Sequence, residues 1–273
     1  MSAVKKLIAS MEKHNSLICL GLDLDPKRMP SGSGETTAGM AQFAMRIIQA
    51  TADVVAAYKP NMAFFEALGP EGLSLLRLVR SRIPEDTVVI MDGKRGDIGN
   101  SSEFYAKAQF VACGADWVTV SPYMGYDSVQ PFLNYEDKGA FVLCLTSNPG
   151  ARDLQGMEIA GKPLYLHVAE KVNSWNKDGN CGLVVGATYP EQLIQIRQAA
   201  GEMPILIPGV GAQGGDLEAA VLGGTANFTQ PAIINVSRSV LYASNGEDYD
   251  KAARAVVEKL NAEINGLRNR PTS

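Results

Sequence analysis

The sequence has few of the residues that build metal centres and nucleophilic triads. It contains only two histidines in 273 residues, His14 and His167, and neither stands beside another candidate metal ligand. A histidine-based zinc site or a Ser-His-Asp triad is therefore not expected. Both histidines are interpreted as lying on helix faces.

Cysteines are also few, and none of them forms a C-x-x-C pair. Two of the four, Cys19 and Cys144, lie inside apolar runs, where buried free thiols are common. This pattern favours a reduced, cytoplasmic protein. The other two are Cys113 and Cys181.

Long apolar runs and a basic charge balance are absent as well. No segment approaches the roughly 18 apolar residues that a membrane span requires. Residues 1–16 predict a short amphipathic helix, because Glu12 and Lys13 interrupt its apolar stretch. A net charge of −4 and a pI near 5.3 offer no general attraction for nucleic acid or an anionic membrane. Any anionic ligand must therefore be held by a local site.

The chain does contain short, continuously apolar runs that alternate with helix-length segments. Continuous apolarity indicates strands buried on both faces, as in parallel sheets covered by helices. We therefore predict an α/β fold, a (β/α)8 TIM barrel in a single domain over residues 1–273, with a loose tail at 268–273. An open doubly wound sheet is the alternative, because a sequence does not reveal strand order. The predicted strands are Leu17–Leu22, Val54–Tyr58, Val88–Met91, Trp117–Val120, Phe141–Leu145, Leu183–Val185, Ile205–Ile207 and Ile233–Val236. The predicted helices include Thr36–Ala50, Glu66–Arg82, Ser101–Cys113, Lys162–Trp175, Pro190–Ala200 and Asp248–Leu267.

Polar residues follow most of the predicted strands. Active sites of (β/α)8 barrels lie at the C-terminal ends of their strands, so we expect these side chains to share one barrel mouth. They are Asp23, Asp25, Lys59, Asp92, Lys94, Ser121, Thr146, Ser147, Gly209, Ser237 and Arg238.

The most distinctive charged pattern is D-x-K-x-x-D, formed by Asp92, Lys94 and Asp97 after the third apolar run. In an extended chain Asp92 and Lys94 point to the same side, and the flanking glycines let Asp97 lie nearby or reach a neighbouring subunit. Lys59 enters from the adjacent strand. Carboxylates keep neighbouring lysines protonated, so this array suits proton donation and anion stabilisation. An ordinary salt-bridge cluster at the barrel mouth is the alternative interpretation.

A second polar feature is the glycine-rich segment 208–216, followed by Ser237 and Arg238 after the next strand. Barrels often bind phosphate between these two loops, and the Arg238 guanidinium is a forked donor. We therefore expect a phosphate monoester. Residues 209–214 also fit G-x-G-x-x-G, but a dinucleotide site needs an acidic residue where the next strand ends in Asn235. A glycine turn that only closes the barrel is the other alternative.

In combination these motifs resemble the orotidine 5′-phosphate decarboxylase family, in particular its longer bacterial branch. The resemblance covers about residues 17 to 242. It implies a lyase that converts orotidine 5′-monophosphate (OMP) to UMP and CO2 in pyrimidine biosynthesis, without cofactor or metal. It also implies a homodimer with shared active sites. The matching segments are Leu20–Asp23, Tyr58–Asn61, Asp92–Ile98, Thr146–Pro149, Pro208–Asp216 and Ser237–Arg238.

The resemblance implies a role for each matching residue. Lys94 is the proton donor to C6 of the pyrimidine, Asp92 lies beside the departing carboxylate, and Lys59 contacts ribose and anchors Asp92. Asp97 is the carboxylate that the partner subunit supplies. The implied substrate contacts are Asp23 and Ser101 to ribose hydroxyls, Ser147 to the pyrimidine edge, and Gly209, Gly211, Gln213, Ser237 and Arg238 around the phosphate. Ser101 stands where the family usually has threonine, and Ser237 where it frequently has glycine.

Two alternatives to this activity stay open. Loss of carboxylate from C6 leaves an in-plane carbanion, and the resemblance assigns its stabilisation to the preorganised charge of Lys94. A keto-sugar-phosphate decarboxylase or hexulose-phosphate synthase of the same superfamily would instead use magnesium, with a glutamate where Lys59 stands. A noncatalytic nucleotide-binding barrel would have no need for two lysines and two aspartates.

Overall fold

A computed structural model describes residues 1–30, 36–210 and 215–269. Eight parallel strands close into a barrel, in which each strand pairs with the next along the chain and the last pairs with the first. The closing pairs include Ile18 with Ile234 and Leu20 with Val236. The predicted (β/α)8 barrel is therefore confirmed, and the open sheet is excluded. The strands are β1 Ile18–Leu22, β2 Ala57–Pro60, β3 Val88–Arg95, β4 Trp117–Val120, β5 Gly139–Leu145, β6 Cys181–Val185, β7 Ile205–Pro208 and β8 Ala232–Val236.

Helices cover the outside of the barrel and connect its strands. A 3-10 turn at Pro26–Arg28, a π-helical turn at Ala108–Ala112 and a small two-stranded ribbon, Glu158–Ile159 with Lys162–Pro163, complete the described elements. The helices are α1 Ala3–Lys13, α2 Thr37–Thr51, α3 Met62–Glu66, α4 Pro70–Arg80, α5 Gly99–Lys107, α6 Tyr126–Leu133, α7 Ala151–Leu154, α8 Leu164–Trp175, α9 Pro190–Ala200, α10 Leu217–Thr225, α11 Arg238–Leu241 and α12 Tyr249–Arg268.

Several predicted boundaries differ from the structure, among them the end of the third strand, which continues to Arg95, and two of the differences have a clear physical cause. The second strand begins at Ala57, not at Val54, because the Val54 N–H still bonds the Thr51 carbonyl in a turn that ends α2. The helix predicted over 66–82 is divided because Gly69 takes a φ of +63°, which ends one helix and sets Pro70 at the start of the next. The first shift matters for function, since it places Lys59 inside a strand.

Helix α1 closes the N-terminal end of the barrel. Its Ala3 and Leu7 side chains are fully buried against the barrel interior, and the Trp117 indole N–H donates to the Ala3 carbonyl at 3.3 Å. Just below Trp117, Asp116 binds Lys6 of α1 at 2.8 Å and Lys138 at 3.6 Å. We refer to Lys6, Asp116 and Lys138 as the floor cluster.

The four cysteines are free thiols, as expected. Burial raises the pKa of both Cys19 and Cys181 to about 12, so these thiols stay protonated at neutral pH. None of the helices in the described ranges is long and apolar enough to cross a membrane.

Candidate active site

A buried carboxylate joins two ammonium groups at the C-terminal ends of β2 and β3. Asp92 Oδ2 lies 2.5 Å from Lys59 Nζ, and Asp92 Oδ1 lies 2.5 Å from Lys94 Nζ. Lys59 is 4% exposed and Asp92 8% exposed, whereas the Lys94 side chain is 47% exposed. Lys94 is thus the charge that a ligand entering the barrel mouth can reach. We refer to these three residues as the mouth cluster.

The path of β3 brings two of its charged side chains, Asp92 and Lys94, into this cluster. Its pairing with β4 shifts register between Met91 and Arg95, and Lys94 within that interval has a φ of +45°. A non-glycine residue rarely adopts this left-handed conformation, which costs on the order of 1–2 kcal/mol. Such strain persists where the surrounding structure imposes it, and it is concentrated at functional sites.

Thr119 holds the β3 bulge in place, and the sequence analysis did not identify it. Its hydroxyl donates to Asp92 Oδ1 at 2.9 Å and accepts from the Lys94 backbone N–H at 2.9 Å. A signal was present, since Thr119 is the one polar residue in the β4 run and lies two positions from Trp117, which faces the barrel interior. A threonine at that position predicts an inward hydroxyl.

The mouth cluster keeps its groups ionised. Burial alone raises the pKa of Asp92, but the positive charges of Lys59 and Lys94 outweigh burial and hold that pKa well below its ordinary value. For Lys59 burial lowers the pKa, yet the charges of Asp92 and Asp23 more than compensate and raise it above the ordinary value. At neutral pH the cluster therefore carries two positive charges and one negative charge at close range.

Asp23 extends the site across the seam between β1 and β8. Its Oδ2 accepts a hydrogen bond from the Ser237 hydroxyl at 2.6 Å, and its carbonyl accepts from the Tyr242 hydroxyl at 2.9 Å. Its other carboxylate oxygen, Oδ1, is buried and has no hydrogen-bond partner among the described residues. Ser237 also lies against Gly21, where any Cβ would come within 2.8 Å of the serine Cβ. Ser237, which stands where the resemblance leads us to expect a glycine, thus bonds to Asp23 through its hydroxyl.

Three other predicted residues follow the C-terminal ends of barrel strands. Ser147 follows β5 and packs closely against Gly186. Gly209 follows β7 with a φ of +99°, a conformation suited to glycine, and the exposed Arg238 begins α11. Gly211 and Gln213 lie outside the described residues.

Asp97 and Ser101 are not part of the mouth cluster within one chain. The Asp97 carboxylate accepts a hydrogen bond from the Ile98 N–H at 2.8 Å, and no bond joins it to the mouth cluster among the described residues. Ser101 is exposed on α5. The Asp97 side chain is partly exposed and that of Ser101 is exposed.

The part of the chain that the structure describes contains no group of three or more His, Cys, Asp or Glu side chains arranged to hold a metal ion. The single carboxylate of the mouth cluster is already bonded to two ammonium groups. These donors suit an anionic ligand better than a cation.

Comparison with known families agrees with this geometry. Residues 16–255 match the orotidine 5′-phosphate decarboxylase / HUMPS family, a range that contains the whole barrel and the mouth cluster. The chain belongs to this family. The predicted resemblance is therefore confirmed.

Members of the orotidine 5′-phosphate decarboxylase family match nearly the full chain. The enzyme of that name from Herpetosiphon aurantiacus is 50% identical over 93% of this chain and 95% of its own length. The one from Ralstonia pickettii is 46% identical over 98% and 100%. Among solved structures, Leishmania donovani OMP decarboxylase has a TM-score of 0.87 and 39% identity, covering 99% of this chain and 100% of that one. Leishmania donovani UMP synthase has a TM-score of 0.89 and 41% identity, but this chain covers only 57% of it.

Proposed function

We propose that this chain is an OMP decarboxylase, which converts orotidine 5′-monophosphate to UMP and CO2. The observation that carries the proposal is the mouth cluster, in which one exposed ammonium group lies beside a buried carboxylate and a buried second lysine. Relatives named for this activity cover nearly the full chain at 45–50% identity.

The proposed reaction uses Lys94 as the proton donor. The bond between C6 and the carboxylate breaks, CO2 leaves, and the electron pair stays on C6. The Lys94 ammonium stabilises that pair and transfers a proton to C6, after which solvent reprotonates the lysine. Asp92 stays ionised throughout because of its low pKa, and Lys59 keeps it in place.

The proposed substrate orientation follows the order of the strand ends. The phosphate lies between the loops after β7 and β8, near Gly209 and Arg238, as is common in these barrels. The unpartnered Oδ1 of Asp23 accepts from a ribose hydroxyl, and Ser147 contacts the pyrimidine edge. This orientation directs C6 towards Lys94.

A direct assay tests the proposal. Purified protein is incubated with OMP in the presence of a chelator, and UMP and CO2 are measured. We expect stoichiometric formation of both products, since Lys59 occupies the position where the magnesium-dependent alternative needs a carboxylate. Absence of product, or a strict need for magnesium, would count against the proposal.

We further propose that the active enzyme is a homodimer in which Asp97 serves the partner's site. An apolar surface adjoins Asp97: Ile98 is 56% exposed, Phe104 on the following helix 65% and Tyr123 84%. Met124 joins it, since its Cε lies 3.5 Å from the Cβ position of Gly96. Exposed apolar patches of this kind typically mark protein interfaces.

Subunit mixing tests the shared site. Lys94→Ala and Asp97→Ala proteins, each inactive alone, are mixed under conditions that allow exchange. A shared site leaves one intact centre in each mixed dimer, so activity should recover to about one quarter of wild type in a statistical mixture. Mixtures that stay inactive despite proven exchange would contradict the role of Asp97.

We also propose a cytoplasmic location, because a reducing compartment keeps free thiols such as those of Cys19 and Cys144 unpaired. Cell fractionation with an antibody to the native protein would test it, and enrichment in an extracytoplasmic fraction would contradict it.

A further inference from the structure

Gln109 is a buried polar side chain that none of the proposed steps uses. The residue is only 2% exposed, yet neither its Oε1 nor its Nε2 has a hydrogen-bond partner within the described ranges. A buried carboxamide without partners costs free energy, and an apolar side chain of the same shape would be more favourable. Its presence therefore calls for a functional reason.

The backbone around Gln109 directs this side chain towards Gly93 of β3. Gln109 lies in the π-helical turn Ala108–Ala112 that continues α5, and its carbonyl accepts a hydrogen bond from the Ala115 N–H at 3.1 Å. A π-helical turn changes the direction of the side chains that follow a regular helix, and such turns are frequent at functional sites.

The Gln109 carboxamide lies against the segment of β3 that carries Asp92 and Lys94. A Cβ on Gly93, between Asp92 and Lys94, would lie 2.6 Å from Gln109 Nε2 and 3.1 Å from Arg95 Nε. Arg95 Nε is likewise buried without a partner. Two unsatisfied groups therefore meet beside one glycine, directly behind the strained Lys94 backbone.

These groups are complementary. Arg95 Nε–H is a donor, and Gln109 Oε1 is an acceptor. Gln109 Nε2 and Arg95 Nε both lie within 3.1 Å of the Gly93 Cβ position, so rotation of the carboxamide by half a turn places Oε1 on the side of Gly93 that Arg95 also approaches. The rest of the Arg95 guanidinium is already fixed by Glu66 and by the ring of Tyr105, whose centroid is 5.3 Å away.

We propose that Gln109 is a positioning residue for Lys94, and this rests on the proposed decarboxylase function. When a ligand occupies the barrel mouth, the Gln109 carboxamide hydrogen-bonds Arg95 and the β3 bulge. It thereby fixes the backbone on both sides of Gly93. Lys94 then keeps its left-handed conformation and its contact with Asp92 while it protonates the substrate.

The test replaces Gln109 with an apolar side chain of similar length. Gln109→Met keeps the volume but removes both hydrogen-bonding ends. We expect kcat to fall about tenfold, with KM for OMP changed by less than about threefold, because only the alignment of Lys94 is lost. The Tm should stay the same or rise, because an unsatisfied carboxamide has been removed. A purely structural role predicts the opposite, a lower Tm with an unchanged kcat.

A matched control is available at the other end of the same strand. Thr87 is also fully buried with an unpartnered hydroxyl, and it precedes β3 at the N-terminal end of the barrel. Thr87→Val should likewise preserve or raise the Tm but leave kcat unchanged. Gln109→Glu retains an acceptor for Arg95 and should keep a higher kcat than Gln109→Met. An unchanged kcat in Gln109→Met, or equal losses in the Met and Glu variants, would overturn the inference.

Failure of the inference is distinguishable from failure of the proposed function. If wild-type protein forms UMP, the kcat comparison decides the role of Gln109. If wild-type protein forms none, crystal structures of wild type and Gln109→Met with bound UMP decide it. The inference then requires that the Lys94 φ or its contact with Asp92 changes in the variant, and identical positions would refute it.

Discussion

The two ends of this barrel carry the same set of charges in different settings. In the mouth cluster a buried aspartate, Asp92, binds two lysines at 2.5 Å each. In the floor cluster another buried aspartate, Asp116, binds Lys6 at 2.8 Å and Lys138 at 3.6 Å. The floor lysines are 24% and 22% exposed at the side chain, whereas Lys59 at the mouth is 5% exposed.

The difference lies in what surrounds each aspartate. At the floor the Val89 backbone N–H donates to Asp116 at 3.0 Å, and α1 covers the cluster. At the mouth none of the described elements encloses Lys94, whose side chain is 47% exposed, and its backbone is held in a strained conformation. Under the proposed mechanism, the comparison teaches that access and strain, and not charge alone, separate a reactive ion cluster from a structural one, consistent with catalysis at the C-terminal face and stabilisation at the N-terminal face of such barrels.

Removing a lysine from each end gives the largest expected contrast. Lys94→Ala should lower kcat by at least about 1,000-fold, because the charge that stabilises the carbanion and the proton donor are lost together. Lys138→Ala, the matched change at the floor, should leave kcat unchanged. Initial rates of UMP formation measure both, and similar rates for the two variants would break the comparison.

Among the lysines of the two clusters, the buried Lys59 should contribute most to the free energy of unfolding. Lys59→Met leaves the buried Asp92 without its fully enclosed partner, and removing one member of a buried pair typically costs about 3–5 kcal/mol. We expect a loss of that size in the free energy of unfolding, measured by urea denaturation. A stability equal to wild type would show that Lys94 alone suffices to compensate the charge of Asp92.

Acidification should reduce the stability that the ionised Asp92 of the mouth cluster contributes to the folded protein. A carboxyl with a lower pKa in the folded state adds stability above its unfolded pKa of about 3.9, and this stability is lost as the pH falls through the folded value. Because the pKa of Asp92 is lowered, the stability advantage of wild type over Asp92→Asn should be full at neutral pH and shrink below about pH 4. Urea titrations at several pH values measure it, and a constant difference would contradict the charged state of Asp92.

The smallest loss of stability is expected when Lys6 of the floor cluster is replaced. Lys6→Met removes an ion pair whose lysine remains partly hydrated, and such pairs contribute about 1 kcal/mol or less. The free energy of unfolding should fall by no more than this, with no change in kcat. A loss as large as that of Lys59→Met would show that burial of the lysine is not what separates the two ends.

Residues close together in the sequence made the mouth predictable. Asp92, Lys94 and Asp97 share one strand end, so their spacing alone places two of them together, and eight apolar runs sufficed for the barrel. In the floor cluster Lys6 and Asp116 are 110 positions apart, and no local pattern marks the pair. The boundary of β2 was missed because a turn, not hydrophobicity, decides where that strand begins.

Thr119 and Gln109 were missed for a related reason. Thr119 owes its role to the β3 bulge on a neighbouring element, and the role proposed for Gln109 depends on the π-helical turn in which it lies. A bulge and a π-helical turn are not encoded by periodicity, since both interrupt it. The strained φ of Lys94 belongs to the same class, because only packing by the surrounding chain can impose it.

The first and last strands of the barrel must pair before the proposed pocket is complete. Asp23 and its partner Ser237 are 214 positions apart, so the ribose half of the proposed pocket does not exist until the final strand docks on the first. Contacts of such long sequence separation form slowly, since loop closure must precede them. Recovery of catalysis after dilution from denaturant should therefore lag behind the return of helix signal, and a ribosome-bound chain that has not yet released its last strand should be inert.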